Sequence, residues 1–317
     1  MTPQATTIGI LYPGELGTAL AKLLAADGHR LVTTLVGRSA RTEHRCRDVP
    51  FVVLPTVRDV ACAAPILFSV VPPTAAVAVA EAVAAAMRDA GPRPTYVDVN
   101  SIAPQTVRHI ARLLEPHGID VVDASVHGLA GRLQAQGTLY LSGRRAAEIG
   151  QLFAPLMRVQ LLGDAPGAAS LAKMLLGGVS KGLVALLIEV SLTARAAGVL
   201  EPFLSELRHY YPGVIEIFER LLPTVPCHAA RRAGEMAELV QTVTALGLDP
   251  AVVADVQQLY HRLGTADMDH RPLPAQASLS GWLEWIAAGV ERNVSTDSQQ
   301  TLDPLEKGIS AIDRLSS

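Results

Sequence analysis

From Thr7 to about Leu162 the chain alternates between short, unbroken apolar runs and longer stretches in which apolar positions recur every three or four residues. The short runs at 8–11, 31–36, 51–53, 66–70, 95–99 and 120–123 predict strands, with 138–142 and 158–161 as later additions. The periodic stretches at 16–26, 77–88, 104–114 and 145–156 predict helices between them. Such alternation is the signature of a parallel sheet covered on both faces, so this half predicts an α/β, Rossmann-type doubly wound fold. Around Gly163 the pattern changes. Gly163-Asp164-Ala165-Pro166-Gly167 reads as a turn, and 168–197 is almost wholly apolar or small. A helix of about thirty residues spans roughly 45 Å, longer than a small domain is wide, so it links domains. Beyond it only helical patterns follow, at 202–208, 214–222, 227–246, 251–263 and 278–288. The reading is a nucleotide-binding domain over 1–162 and an all-helical C-terminal domain over 163–317. From Glu291 on the chain is polar and expected to be mobile in part.

The first strand runs into the most informative stretch, Ile8-Gly9-Ile10-Leu11-Tyr12-Pro13-Gly14-Glu15-Leu16-Gly17. A strand gives way to a tight turn and a helix start, whose free N–H groups and positive dipole end suit a pyrophosphate without any basic side chain. Against G-x-G-x-x-G the turn has tyrosine at the first glycine, and an ordinary strand-turn-helix would look the same. The spacing to the next strand adds weight. Strand 31–36 ends in Gly37-Arg38-Ser39-Ala40-Arg41, where a dinucleotide fold meets the adenosine ribose. An acidic residue there favours free ribose hydroxyls, whereas Arg38, Ser39 and Arg41 suit a 2′-phosphate. The cofactor reading is therefore NADP(H) over NAD(H), with Tyr12, Pro13, Gly14, Glu15 and Leu16 around its phosphates. Ligands of open α/β sheets sit beyond the carboxyl ends of the strands. That rule places Val71-Pro72-Pro73, Asn100-Ser101 and Ser125-Val126-His127-Gly128 around the nicotinamide half.

Composition narrows the classes. The 317 residues are 49% hydrophobic and 18% charged, enough for two domains with a sizeable core. The net charge is −3, and 23 of the 27 basic residues are arginines without a dominant cluster, which argues against nucleic acid as a partner. Cys46, Cys62 and Cys227 are odd in number and far apart, giving neither a disulfide framework nor metal-ligand spacing. No metal is expected, and the compartment reads as reducing cytoplasm. No basic region followed by an apolar core marks a signal peptide at the start. The apolar stretches 61–87 and 183–194 are interrupted by Pro72-Pro73 or Glu189, so no membrane span is expected.

Lysine is scarce, four in the chain, and Lys173 and Lys181 both lie in the apolar inter-domain helix. A lysine in low dielectric loses proton affinity and can exchange a proton near neutrality. The competing reading, a packed stem with its tip in water, weighs more for Lys181 than for Lys173. His127 can carry a proton, donate to an anion or cap a turn. Asp123 reads as an anchor for its loop rather than a reacting group. His228, Arg231 and Glu235 share a helix face, with Arg232 and Glu238 close by. That face is either an ion-pair network or an arginine placed for an anionic substrate group.

The order of the glycine turn, Gly37-Arg38-Ser39, Ser69-Val70-Val71-Pro72-Pro73, Asp98-Val99-Asn100-Ser101, Asp123-Ala124-Ser125-Val126-His127-Gly128 and Gly163-Asp164-Ala165-Pro166-Gly167 before Lys173 resembles the β-hydroxyacid dehydrogenase and 6-phosphogluconate dehydrogenase superfamily. The stretch from His228 to Glu238 resembles the C-terminal helical domain, of unknown function, in a less studied branch. The likeness covers nearly the whole chain. It implies hydride transfer between NADP and a small hydroxyl or carbonyl substrate, with Lys173 as proton donor and acceptor. It also implies Asn100 and Ser101 near the nicotinamide ribose or carboxamide, Ser125 and Gly128 at the substrate, and a homodimer through the helical domain. Two positions depart from the family pattern: His127 stands where many members have serine, and Gly177 where they have asparagine. Both remove contacts to a substrate carboxylate or hydroxyl, so the usual hydroxy acids are in doubt. Two other readings stay open, an imine reductase on the same fold and a non-catalytic nucleotide-binding protein.

Overall fold

A computed structural model describes residues 5–88, 91–128, 130–265, 274 and 278–289. The tail expected from Glu291 on lies outside the described residues. Eight strands, β1 (Thr7–Leu11), β2 (Arg30–Thr33), β3 (Phe51–Val53), β4 (Ile66–Ser69), β5 (Thr95–Asp98), β6 (Val121–His127), β7 (Thr138–Ser142) and β8 (Arg158–Leu161), form one sheet in the order β3-β2-β1-β4-β5-β6-β7-β8. The first six follow the dinucleotide-binding order and pair in parallel. β7 departs from a purely parallel sheet by running antiparallel to β6. Only residues 128–137 join the two strands, fewer than the dozen or so a parallel crossover needs, so the chain must turn back.

Alternate strand residues feed two cores. Ile66 and Phe68 of β4 join one face with Leu20 and Leu24 of α1 (Glu15–Ala26) and Phe153 of α7 (Ala146–Phe153). Leu67 joins the other with Val83 of α4 (Ala76–Ala86) and Ile110 of α5 (Pro104–Leu114). This is why the strands read as unbroken apolar runs. Two helices were not visible as periodic stretches: α2 (Ala40–Cys46) and α3 (Val57–Ala63), seven residues each. Both are started by a side chain. Ser39 Oγ accepts the Thr42 N–H at 3.4 Å, and Thr56 Oγ1 accepts the Asp59 N–H at 3.1 Å. β2 stops at Thr33 rather than running to Val36, and β6 extends beyond Asp123 to His127.

Between β7 and β8 lies α7, and α6 (Leu133–Gln136) sits in the β6–β7 connection. After β8 every described element is helical: α8 (Ala168–Ala196), α9 (Leu200–Tyr210), α10 (Pro212–Leu221), α11 (Val225–Ala245), α12 (Ala251–Thr265) and a helix over 279–289. The chain divides into two compact units within α8, one ending at Leu175 and the next beginning at Leu176, whereas the boundary expected from sequence falls at the end of β8. By length and composition α8 is long and apolar enough to cross a membrane, and its first turn is bonded to the strands of the sheet. The second unit buries Val184, Ile188, Phe218, Met236, Tyr260 and Leu283. Its α11 and α12 approach so closely that a Cβ on Gly264 would lie 2.8 Å from the Ala230 nitrogen.

Candidate active site

Parallel strands end on one edge, and there a cavity of about 560 Å³ is lined by the β1–α1 turn, the β2–α2 turn and the segments after β4 and β5. Tyr12, Gly14, Glu15, Leu16, Arg38, Ser39, Val71, Pro72 and Ser101, all singled out from sequence, share this wall. Gly14 stands at the cap position of α1 and supplies no side-chain bond to the helix start. The first N–H groups of α1 therefore have neither an intrahelical acceptor nor one from the cap residue, an arrangement suited to a phosphate. A Cβ on Gly14 would meet nothing within 4 Å, whereas one on Gly17 would lie 3.2 Å from Pro13 and 3.4 Å from Val70. The second glycine leaves the cradle open and the third lets the helix settle against the sheet. Pro13 is buried behind the turn, outside the cavity wall.

Tyr12 has φ 55°, a conformation glycine adopts freely and a tyrosine only with strain. Its ring carries the Arg38 guanidinium 4.2 Å from the centroid, a cation–π contact that holds the arginine at the cavity wall. Thr42 and Arg45 join Arg38 and Ser39 in the wall, while Arg41 is exposed and outside it. The sequence reading missed Thr42 and Arg45 because α2 was not recognised. The three-residue spacing Ser39, Thr42, Arg45 was the available signal, one face of a short helix.

The floor between β4 and β5 is a buried polar network. Asn100, 2% exposed, donates from Nδ2 to Asp98 Oδ2 at 2.9 Å and to Ser69 Oγ at 3.2 Å, and accepts the Val71 N–H on Oδ1 at 2.7 Å. Its own N–H donates to Asp98 Oδ1 at 3.0 Å. Asn100 thus holds the Val71 segment in the wall, and its side chain is turned into the protein. Burial pushes the Asp98 carboxyl up to about 7, against the pull of the Asn100 hydrogen bonds. The next residue, Ser101, faces the cavity and accepts a hydrogen bond from Lys173 Nζ at 2.9 Å.

Other predicted residues lie elsewhere. Ser125 is buried within β6 opposite Tyr140, and His127 is exposed at the strand's end opposite Thr138, so both belong to the strand rather than to a loop beyond it. Gly128 has φ 134°, and a Cβ there would lie 3.0 Å from Gly137 Cα, so it closes the β6–β7 connection. None of these three lines the cavity. In the second unit, Lys181 Nζ stands 2.9 Å from where a Cβ on Gly177 would be, and pairs with Glu235 at 3.0 Å. Arg231 also pairs with Glu235. Burial alone would raise the Glu235 carboxyl, but Lys181 and Arg231 together hold it below the usual carboxylate range. Burial, aided by the Glu235 charge, raises Glu238. The Arg231 face is thus an ion-pair chain. Arg232 is buried, donates to Thr224 Oγ1 at 2.5 Å and lies 5.7 Å from the Tyr260 ring centroid. Among the described residues no group of three His, Cys, Asp or Glu side chains could hold a metal ion.

The NAD binding domain of 6-phosphogluconate dehydrogenase matches residues 7–154, and a domain of unknown function, DUF1932, matches 194–263. The solved structure of the conserved protein MTH1747, of unknown function and similar in structure to 3-hydroxyacid dehydrogenases, is 32% identical over 81% of this chain and 96% of its own, with a TM-score of 0.68. A conserved hypothetical protein from Sinorhizobium meliloti 1021 is 25% identical over 91% of this chain and 98% of its own, with a TM-score of 0.74. At 18% identity, over 89% of this chain and 99% of its own, Mycobacterium tuberculosis 3-hydroxyisobutyrate dehydrogenase shares the fold with a TM-score of 0.69. With an NAD-binding sheet of this type, that helical domain after it in the chain and a relative nearly one-third identical along almost its whole length, the chain belongs to the 6-phosphogluconate dehydrogenase-like family, in the branch that carries DUF1932.

Proposed function

We propose that the chain is an NADP(H)-dependent oxidoreductase moving a hydride to or from a small hydroxyl or carbonyl compound, with Lys173 as proton donor and acceptor at the substrate oxygen. The observation that carries this reading is the Lys173–Ser101 hydrogen bond at the wall of the cavity whose other end bears Arg38 and Arg45. A bound nicotinamide supplies the hydride chemistry. The start of α1 takes the pyrophosphate, and Arg38 and Arg45, with Ser39 and Thr42, take the 2′-phosphate through charge-assisted bonds. Lys173, held by Ser101, hands a proton to the oxygen that gains charge as hydride arrives, or takes one as hydride leaves. Asn100 keeps the Val71 segment against the nicotinamide half. Ser125, His127 and Gly128 of the first unit are proposed substrate contacts, with His127 as a second proton-carrying group, and Gly177 and Arg231 are the candidates of the second unit. Two copies pair through the exposed apolar face of α8 that bears Val179 and Leu186, and the enzyme works in the reducing cytoplasm.

Titration of NADPH and NADH fluorescence tests the cofactor, with NADPH expected to bind more tightly; failure of both to bind overturns the reading. Assays on panels of oxo acids and cyclic imines test the chemistry. Lys173→Ala is expected to lower turnover by about 10²- to 10⁴-fold with NADPH affinity unchanged. Equal loss of both would leave Lys173 a structural role, and imine turnover insensitive to Lys173→Ala would favour the imine reductase reading.

A further inference from the structure

The first turn of α8 is held by two side chains of the sheet. Asp123 sits on β6 with no exposed surface, in register with Asp98 on β5 and Ser142 on β7. Its Oδ2 accepts the N–H groups of Gly167 and Ser170, each at 2.9 Å, and the Ser142 hydroxyl at 3.2 Å. Its Oδ1 accepts the Ser170 hydroxyl at 2.7 Å. Ser142 Oγ in turn accepts the Ala169 N–H at 3.1 Å. Three backbone donors that an α-helix leaves unsatisfied at its start are thus taken by strands β6 and β7. Gly167 enters this clamp at φ 106°, with the Arg108 Nε only 3.2 Å from where a Cβ would stand.

The placement has a consequence one turn along. Lys173 follows Ser170 by three residues, so the two are neighbours on one side of the helix. A lysine side chain is long and flexible, and where its ammonium falls depends on the rotation and axial position of the helix that carries it. Both are set at the first turn by Asp123, on the strand beside the one that leads to Ser101. A carboxylate suits the position because it offers acceptors on both oxygens and negative charge at a helix start. Burial raises the Asp123 carboxyl, and the bonds from Ser170, Gly167 and Ser142 work against that rise.

We propose that Asp123, with Ser170 and Ser142, is the positioning residue for Lys173: it locks the first turn of α8 so that the ammonium reaches Ser101 at the cavity wall. The proposal rests on Lys173 being the proton-transferring group, and it goes beyond that reading by assigning what aims it.

The test reads Lys173 directly and needs no substrate. Cleavage after methionine, Met174 in particular, puts the four lysines of the chain in separate peptides, so their rates of acetylation by acetic anhydride on the full-length protein can be followed one by one by mass spectrometry. Exposed Lys22 serves as the reference and Lys181, on the same helix, as the control. In Asp123→Ala, Lys173 labelling relative to Lys22 is expected to rise about two- to tenfold, the loss of one hydrogen bond's hold, while Lys181 stays as in the wild type. Ser170→Ala gives a smaller change in the same direction, and Asp123→Asn, which keeps the shape and one acceptor oxygen, restores part of the protection. If Asp123→Ala does not fold, the Ser170 and Asn variants carry the test. An unchanged Lys173 rate, or Lys173 and Lys181 rising together, overturns the proposal. NADPH binding and turnover of the same variants separate this from the catalytic reading. Loss of Lys173 protection with turnover intact keeps the clamp and refutes the proton-transfer role.

Discussion

In the nucleotide-binding unit the buried polar side chains, Asp98, Asn100, Asp123, Ser142 and Ser170, bond to one another and to backbone N–H groups along one edge of the sheet. In the helical unit the buried Arg232 spends its bonds on Thr224 and Tyr260, while Lys181, Glu235 and Arg231 form a partly exposed chain of ion pairs. Burying a polar group costs free energy in either place unless it is hydrogen-bonded. In the first unit the bonded groups aim backbone and side chains at a cavity; in the second they tie helices together. The contrast is between polar groups gathered at the strand ends beside a cavity and polar groups that link one helical segment to another.

That contrast can be broken by substitutions whose effects should fall in only one unit. The largest is expected from Gly264→Val, which drives side-chain atoms into the Ala230 backbone and should destabilise α11 against α12 by about 3 kcal/mol. Denaturant unfolding would show it, with NADPH affinity of the folded protein unchanged; a parallel loss of NADPH binding would mean the two tasks are not separate. Next comes Arg38→Ala, which removes a charge-assisted contact and should weaken NADPH about tenfold to a hundredfold while leaving NADH nearly unaffected, as read by fluorescence titration. Arg45→Ala should do the same and Arg41→Ala much less.

Asp98 gives a pH test. Because burial pushes its folded carboxyl from the ordinary aspartate range up to about 7, the folded chain keeps a proton that the unfolded chain has already released. The associated stability is full below the unfolded value and is lost as pH rises through about 7. Melting temperatures between pH 4 and 8 should therefore fall less steeply in Asp98→Asn than in the wild type. An unchanged slope would mean that Asp98 does not carry it. The smallest effect is expected at the exposed end of the ion-pair chain. Arg231→Ala should cost under about 0.5 kcal/mol, as i,i+4 surface pairs do. A large rise in KM for an anionic substrate would instead return Arg231 to substrate binding.

Much of this was readable before any fold was in hand. The strand and helix alternation, the glycine turn and the lysine after Gly167 are local patterns, each set by backbone sterics or side-chain periodicity over a few residues. The short helices α2 and α3 escaped because seven residues are too few for a stripe, and with α2 went Thr42 and Arg45. The role of Asn100 escaped for another reason: its partners Ser69 and Val71 are about thirty residues away, and only strand pairing brings them together.

The amino-acid order alone determined the class of fold, the glycine turn after β1 and the list of candidate proton carriers, because propensity, hydrophobic period and turn chemistry act over short distances. Tertiary structure decided the place of Arg45 rather than Arg41 in the cavity wall, the inward turn of Asn100 and the hold of Asp123 on α8. Each depends on which distant segments become neighbours when the chain folds, where burial favours polar groups that find a partner.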